Sequence, residues 1–331
     1  MKKFFIATFA CAALASCYNN DTTIATNNEP IAFGNNFVEN SVRANDPSYS
    51  KNDIESFKVY GTVENVVIFP GTLVEKNEAD YGDAWTCDVQ QYWIPGADYK
   101  FVGIVDGEVN GVTKTNLVSG MPTTVEYTAD GATDLLVQTV AKTAKTDGTS
   151  NGFVEFEFAH LLSKVNFTVN NGSTGANGYS FVVKNITFNG NTAGVYDVES
   201  KAWDLTKFTT GNTFLGNERI VNGNPVKDIV VASGVASNEL ATEVLFLPGT
   251  YTISFTVDIL CNGTVITSTN YPAQGSTYSH TLAAAHAYNF NVNVKVGELI
   301  QFTVTEQPAW VNGNTHDSND GDTVNDYIPL S

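Results

Sequence analysis

Residues 251–259 read Tyr251-Thr-Ile-Ser-Phe-Thr-Val-Asp-Ile259, and residues 288–296 read Tyr288-Asn-Phe-Asn-Val-Asn-Val-Lys-Val296. In both stretches apolar and polar residues alternate without a break. Alternation with a period of two places one row of side chains in a core and the other in water. Each stretch therefore predicts a β-strand with one buried and one exposed face.

Shorter alternating runs occur elsewhere in the sequence. They are Phe57–Val63, Tyr99–Ile104, Val154–Phe158, Val165–Val169 and Ile300–Val304. Clusters of Gly, Asn, Asp and Thr separate the runs, and Phe69-Pro70-Gly71 has the composition of a turn. No long stretch has a convincing helical period. Many short strands joined by turns predict an all-β protein built from sandwiches or barrels.

The length of 331 residues is enough for two domains of about 150 residues each. A stretch rich in Lys, Thr, Asp and Gly, Ala141–Gly152, separates two strand-rich halves. We therefore predict an N-terminal domain over residues 31–150 and a C-terminal domain over residues 151–331. The second domain includes a polar, acidic tail, Asn312–Asn325, which we expect to be mobile.

The N-terminus has the features of an export signal. Lys2 and Lys3 precede an apolar run, Phe4–Leu14, that is too short to span a bilayer. The run ends in Leu14-Ala15-Ser16-Cys17, which resembles a bacterial lipobox; an ordinary signal peptide with a chance cysteine is the competing interpretation. We predict a signal peptide over residues 1–16, a lipid on Cys17 and a polar tether over residues 17–30.

Two cysteines remain outside this region, Cys87 and Cys261. They are far apart in sequence and do not have the spacing of metal ligands. The sequence does not exclude a disulfide between them, but we favour two buried thiols.

The charge of the chain excludes some partners. The formal net charge is −18, with 17 basic residues. Nucleic acid binding needs clustered Lys and Arg, and so does electrostatic attachment to anionic lipid. We therefore expect no nucleic acid partner, and contact with the membrane only through the lipid on Cys17.

No pattern in the sequence indicates an active site. Gly148-Thr-Ser-Asn-Gly152 matches the nucleophile motif of hydrolases, but a strand follows the Ser where that motif needs a helix. His160 is more consistent with a packed or hydrogen-bonded residue, and His280 and His286 form only a weak metal-site pattern. The acidic run Asp317–Asp322 lacks the late Glu of a calcium loop. We expect no enzyme activity, no cofactor and no metal.

Large aromatic residues gather around Trp85 and Trp93. Such rings can stack on sugars, which makes a glycan platform one interpretation. In β-sandwiches, however, large aromatic side chains usually fill the core between the sheets. We favour the core interpretation.

Several short signals occur in a fixed order along most of the chain. After the lipobox comes the apolar strand Ile31-Ala32-Phe33, and then Arg43-Ala44 in an Asn/Asp/Pro-rich loop. The later signals are Trp85, Trp93, Tyr99-Lys-Phe101, Phe158-Ala-His160-Leu-Leu-Ser-Lys-Val165, Leu282, His286-Ala-Tyr288 and Trp310. In this order and spacing the chain resembles the fimbrillin family of Bacteroidales, the subunits of type V pili.

The resemblance implies two tandem transthyretin-like Greek-key β-sandwiches and a role in cell adhesion. It also implies export as an outer-membrane lipoprotein and cleavage after Arg43, before Ala44, by an arginine-specific protease. The strand Ile31-Ala32-Phe33 would then leave, and a strand from a neighbouring pilus subunit would fill the groove. The contact is head-to-tail, so it propagates into a filament. A host or bacterial surface ligand would be a further partner.

The donor strand is a separate hypothesis. We place it in the C-terminal residues Val324, Tyr327, Ile328 and Leu330, because this segment is apolar and follows a polar linker. Pro329 counts against this placement, since proline cannot donate to a β-ladder.

The type of subunit stays open on the sequence alone. Arg43 argues against a permanent anchor subunit and leaves stalk and tip subunits both open. A protein of another functional class, a permanently anchored, glycan-binding surface lipoprotein, would share the lipobox and the aromatic residues. Thr323 lies in a segment that resembles an O-glycosylation acceptor, and the sequence does not decide whether it is modified.

Overall fold

A computed structural model describes residues 29–34, 37–38, 56–76, 84–105, 112–173, 178–307 and 324–328. Of residues 37, 38, 84 and 324–328 it describes the backbone. Every regular element within these ranges is a β-strand. No helix in the described part of the chain is long and apolar enough to cross a membrane.

Six strands of the N-terminal half form an antiparallel sheet, called sheet A here. Its members are β1 (Phe33–Gly34), β3 (Ser56–Val63), β4 (Val66–Lys76), β5 (Ala84–Cys87), β6 (Asp98–Val105) and β9 (Leu136–Thr143). Their spatial order is β1-β5-β4-β3-β6-β9. The first strand, β1, is therefore an outer strand of this sheet.

A second sheet and a strand pair join parts of both halves of the chain. Sheet B contains β7 (Val112–Val118), β8 (Met121–Thr128), β13 (Ala193–Asp197) and β14 (Ala202–Asp204), in the order β14-β13-β8-β7. The short strands β2 (Phe37–Val38) and β10 (Glu157–Phe158) form a parallel pair. Strands from before residue 150 therefore pair with strands from after it. A division of the chain into two folding units at this residue stays a prediction.

The C-terminal half contributes two larger sheets. Sheet C contains β11 (Ser163–Asn171), β18 (Ser237–Glu239), β19 (Val244–Phe246), β23 (Ala287–Val294), β24 (Ile300–Gln307) and β25 (Val324–Ile328). Sheet D contains β12 (Tyr179–Asn191), β15 (Thr210–Leu215), β16 (Asn217–Val221), β17 (Asn224–Val231), β20 (Gly249–Cys261), β21 (Thr264–Tyr271) and β22 (Ser279–Leu282).

The order of strands in these sheets places β25 at an edge. Sheet C runs β18-β11-β23-β24-β25, with β19 also on β11, and β11 and β23 are parallel. Sheet D runs β16-β17-β12-β20-β21, with β15 on β12 and β22 on β20. Among the described strands, β25 pairs with β24 alone.

Buried side chains form three clusters. The first lines sheet A and residues 154–158, and it includes Phe33, Phe57, Phe101 and Phe156. The second lies between sheets C and D, where the inward rows of β20 and β23 meet. The third joins sheets A and B to the chain around residues 161–162 and 245–247.

The all-β fold predicted from the sequence is confirmed. Residues 251–259 lie in β20, and residues 288–294 of the second long alternating stretch lie in β23, which ends before Lys295 and Val296. Three local predictions differ from the structure. The predicted strand Ile31-Ala32-Phe33 is regular strand only from Phe33 onward, in β1 (Phe33–Gly34). The run Val154–Phe158 is regular strand only at residues 157–158, with a single bridge at Val154. Phe69-Pro70-Gly71 lies inside β4 at a register shift against β3, so the expected turn is a bulge. The transthyretin-like topology stays a prediction.

Candidate functional site

Residues 29–34 lie between two other parts of the chain and hydrogen-bond to both. On one side the Ile31 N–H donates to the Gln91 carbonyl at 2.8 Å, and the Trp93 N–H donates to the Glu29 carbonyl at 3.0 Å. Farther along this side, β1 pairs antiparallel with β5, with Phe33 opposite Trp85. On this first side, the segment is therefore bonded to Gln91 and Trp93 and paired with β5 of sheet A.

On the other side the segment runs parallel to residues 152–158. The Val154 N–H donates to the Ala32 carbonyl at 2.8 Å, and the Gly34 N–H donates to the Val154 carbonyl at 3.3 Å. The pair β2–β10 continues this parallel alignment. Residues 29–34 are therefore hydrogen-bonded to a segment on each side, although only Phe33 and Gly34 form a regular strand.

The side chain of Phe33 lies at the centre of the first cluster and is 1% exposed. Its ring centroid lies 5.5 to 6.4 Å from the centroids of four other phenylalanine rings. These rings are Phe57, Phe69, Phe101 and Phe156. Ile31 is also buried, at 7% exposure. Burial of two such side chains contributes roughly 1.5–3 kcal/mol each.

Glu29, at the start of the segment, is bound by a loop from a distant part of the chain. The Ser150 hydroxyl donates to its carboxylate, and so do the N–H and the Nδ2 of Asn151. These hydrogen bonds, the one from Ser150 first, hold the pKa of Glu29 below its ordinary value of 4.5. The loop therefore binds Glu29 as a carboxylate.

The same loop also covers the outer side of the segment. Gly34 lies against the ring of Phe153, and a Cβ on residue 34 would come within 2.6 Å of that ring. Lys142 anchors the loop, because its Nζ donates to the carbonyls of Asn151 and Phe153. Gly34 permits this close approach because it has no side chain, and a larger residue would require the ring of Phe153 to move.

The C-terminal strand β25 pairs antiparallel with β24, from Ile300 opposite Ile328 to Val304 opposite Val324. Tyr327, one of the residues proposed for the donor strand, lies opposite Gln301 in this ladder. Leu330 lies outside the described residues. The described part of the candidate donor is thus a strand at the edge of its own sheet.

Of the remaining residues that the sequence singled out, the two tryptophans lie in the core. Trp85 and Trp93 are 9% and 3% exposed and belong to the first cluster. The core interpretation of these two residues is confirmed, and a sugar cannot stack on either ring while both are buried. Cys17, Arg43 and Ala44 lie outside the described residues.

The residues considered for chemistry have structural contacts. His160 is hydrogen-bonded to Asp134, as expected for a packed histidine, and burial raises the pKa of Asp134. Cys87 and Cys261 are free thiols and do not pair, but both are only partly buried, where we expected them to be buried. In the described ranges, no group of His, Cys, Asp and Glu side chains is arranged to hold a metal ion.

Sequence reasoning missed the loop that contacts residues 29–34. The sequence pattern predicts that Ser150 and Asn151 lie in the polar stretch between the two halves and that Glu29 lies in the tether. Their contact joins residues 121 and 122 positions apart, for which the sequence carries no local signal. The asparagine is nevertheless 6% exposed, which is unusual for a polar side chain in a linker.

The geometry indicates what removal of residues 29–34 would do. Hydrogen-bonding groups of Gln91, Trp93 and Val154 would lose their partners, and the pockets of Ile31 and Phe33 would open. Unpaired strand edges and an apolar groove together form a template for another extended segment. The site is therefore suited to binding a β-strand.

Comparison with known proteins gives three findings. A sequence profile described as fimbrillin-like matches residues 42–308. A fimbrial protein from Bacteroides vulgatus is similar in structure, with a TM-score of 0.56 at 13% identity over 85% of this chain and 99% of that one. The fimbrial anchor protein Mfa2 from Porphyromonas gingivalis matches with a TM-score of 0.40 at 10% identity, over 84% of this chain and 98% of that one. Among curated protein sequences, none matches.

Proposed function

The chain belongs to the fimbrillin-like family, and we propose that it is a structural pilus subunit that polymerises by donor-strand exchange. Members of this family are components of fimbriae, which are cell-surface appendages that serve adhesion. The proposal adds how this subunit is processed and joined to its neighbours. The observation that carries it is the position of residues 29–34, which are hydrogen-bonded on both sides and fill an aromatic core.

The first step is a cut after Arg43. Such a cut separates the segment that contains Ile31, Ala32 and Phe33 from the chain that begins at Ala44. The segment then stays in place only through its hydrogen bonds and buried side chains, so it can dissociate and leave the groove open. An arginine-specific protease is the partner that this step needs.

A second arginine, Arg219, is protected from such a protease. It lies in β16, which pairs along its length with β17, and its guanidinium forms an ion pair with Asp228. Proteases need an extended and accessible backbone, which exposed loops supply more readily than paired strands. The protease would therefore leave sheet D intact.

The second step is the exchange of a strand between copies. β25 lies at the edge of sheet C and pairs with β24 alone among the described strands. It follows a stretch whose sequence is polar and acidic from residue 312 to residue 323. A copy that gives up β25 to the groove of a second copy makes a head-to-tail contact, and repetition gives a filament. A subunit with both a groove and a donor strand fits the stalk of the pilus.

Processing and export fit the same scheme. Cys17 would carry the lipid that holds the precursor at the outer membrane. Because the lipid is on the N-terminal side of Arg43, cleavage leaves it with the removed segment. The cut subunit is then free to enter the fibre.

The test uses the full chain without its signal peptide and an arginine-specific protease. We expect a new N-terminus at Ala44 and, after cleavage, particles that grow into ladders or fibres. The Arg43→Lys variant should stay uncut and monomeric, and the matched Arg219→Lys variant should behave like the wild type. Clean cleavage at Arg43 that leaves only monomers would overturn the proposal.

A further inference from the structure

Ser150 and Asn151 form a cradle for a carboxylate, which Glu29 occupies. The Asn151 N–H lies 3.0 and 2.9 Å from the two carboxylate oxygens, and its Nδ2 lies 2.7 Å from one of them. The Ser150 hydroxyl donates to the other oxygen. The Lys145 N–H donates to the Oδ1 of Asn151 at 2.7 Å, so the asparagine is fixed by the chain that remains after cleavage.

Departure of residues 29–34 would empty this cradle. Its donors would then lack an acceptor, and hydrogen bonds to a charged group are among the stronger ones in proteins. An incoming strand that places a carboxylate at the same point would restore these bonds. A strand that places an apolar side chain there would not.

We propose that the cradle binds the carboxylate of Asp326 from the incoming strand and thereby sets the register of strand exchange. This inference rests on the proposed function. It deepens that function by assigning a binding site for one residue of the donor and a residue-by-residue alignment of the donor with the strand it replaces.

The two segments have matching patterns. Residues 29–34 read Glu-Pro-Ile-Ala-Phe-Gly, and residues 326–331 read Asp-Tyr-Ile-Pro-Leu-Ser. Both have an acidic residue at the first position, isoleucine at the third, a large apolar residue at the fifth and a small residue at the sixth. In a strand, the first, third and fifth residues point to one face. The alignment therefore sends the carboxylate to the cradle and both apolar side chains to the open pockets.

Other registers lack this agreement. A shift of two residues in one direction puts Asp326 into the pocket of Ile31, where a charge would be buried without a partner. The opposite shift puts Ile328 into the cradle, whose donors then stay unsatisfied. A slip of one residue turns Ile328 and Leu330 away from the core.

The alignment also removes the objection to Pro329. This residue takes the place of Ala32, whose N–H has no hydrogen-bond acceptor among the described residues. Proline lacks an N–H, so at this position it forfeits no hydrogen bond of the original strand. The original strand already carries a proline at position 30.

Two side chains of the incoming strand differ in size from the ones they would replace. The aspartate side chain is one methylene shorter than that of Glu29, so a glutamate at position 326 should fit the cradle better. Ser331 takes the place of Gly34, where a Cβ meets the ring of Phe153. That ring is 43% exposed and has room to turn outward.

The first experiment measures how fast polymers of the cut full chain dissociate in denaturant. Asp326→Asn should dissociate about tenfold faster than the wild type, since it loses a charged acceptor. Asp326→Glu should dissociate more slowly. Glu29→Gln is the matched control, because this residue leaves with the cut fragment. It should speed release of the fragment and leave the finished polymer unchanged.

The second experiment reads the register directly by cross-linking, in a Cys87→Ser/Cys261→Ser background. Pro30 lies opposite Tyr92 in the uncut chain. The alignment puts Tyr327 of the donor at that place, at a distance that a disulfide can span. Tyr92→Cys copies should therefore cross-link to Tyr327→Cys copies after cleavage.

The outcomes separate the inference from the proposed function. If the wild-type chain is cut but forms no polymer, the proposed function fails and the inference fails with it. If polymers form but Asp326→Asn behaves like the wild type, the inference alone is overturned. Cross-linking of Tyr92→Cys to Asn325→Cys or Pro329→Cys instead would overturn it as well.

Discussion

The rings of Phe33 and Phe156 stack with their centroids 6.3 Å apart and their planes at 22°. Phe33 belongs to the segment proposed to leave, and Phe156 belongs to the chain that stays. This contact is one of four that Phe33 makes with phenylalanine rings of the remaining chain, across the boundary at which the subunit is proposed to come apart. The strength of the core around Phe33 decides how firmly the uncut precursor holds its first strand.

Truncation of Phe33 should lower the stability of the uncut precursor. We expect Phe33→Ala to lower the free energy of unfolding by about 3–5 kcal/mol, because it leaves a cavity among four phenylalanine rings. Chemical denaturation of the uncut chain measures the loss. Ile94→Ala is the matched control, since that side chain is 55% exposed and its removal should cost little. Equal effects of the two changes would contradict the assigned packing.

A side chain at position 34 should interfere with the loop that covers the segment. We expect Gly34→Ala to lower stability by roughly 1–3 kcal/mol, because its Cβ would overlap the ring of Phe153. Removing the ring in Gly34→Ala/Phe153→Ala should recover part of the loss. Denaturation of the two single variants and the double variant tests this coupling. Purely additive effects would show that the two residues do not touch.

Release of the cut fragment should depend on pH through Glu29. Its pKa is lowered in the folded chain, chiefly by the hydrogen bond from Ser150. A carboxyl with a lowered pKa stabilises the fold above its ordinary value of 4.5, and this contribution disappears as the pH falls through the lower, folded-state pKa. We therefore expect faster release of the fragment below pH 4.5 than above it.

Fluorescently labelled fragment allows this release to be followed after cleavage. The matched variant Glu29→Gln should release its fragment quickly at every pH and lack this part of the pH dependence. Other carboxyl groups titrate in the same range, so the informative quantity is the difference between the two proteins. Parallel pH curves for both would contradict the role of Glu29.

Locking β25 to its own sheet should prevent assembly. Thr303 of β24 lies opposite Asn325 of β25. In the background without Cys87 and Cys261, Thr303→Cys/Asn325→Cys should form a disulfide within one copy. The oxidised, cut protein should stay monomeric, and reduction should restore polymers, as judged by size-exclusion chromatography. Thr303→Cys alone should polymerise in both conditions. Polymers from the oxidised double variant would show that β25 is not the donor.

Strict alternation was sufficient to predict the main strands. The apolar rows of β20 and β23 are buried in the core between sheets C and D, as their sequences indicate. Alternation predicted too long a strand where the backbone does not pair in a regular ladder. The apolar residues of Val154–Phe158 enter the first cluster. Its backbone, however, has no long partner strand: Val154 hydrogen-bonds to Ala32 and Gly34, and residues 157–158 pair with residues 37–38.

Ile31 and Phe33 are buried, as expected for an apolar strand, although the regular strand begins only at Phe33. Their neighbour Glu29 was assigned to the tether, because its partners lie in a loop far away in sequence. Polar contacts between distant segments depend on how the chain folds back on itself, and no local pattern encodes them. The role of the Ser150–Asn151 loop therefore became visible only from the structure.

The central claim is that one copy supplies a strand to the groove of another, and two incomplete variants test it most directly. A copy lacking residues 324–331 can be cut and can receive a strand but cannot donate one. An Arg43→Lys copy can donate but, being uncut, cannot receive. Treated with the arginine-specific protease and measured by size-exclusion chromatography, each variant alone should remain monomeric. Their mixture should give one-to-one dimers and no filaments. Monomers in the mixture, or polymers from either variant alone, would contradict strand exchange through β25.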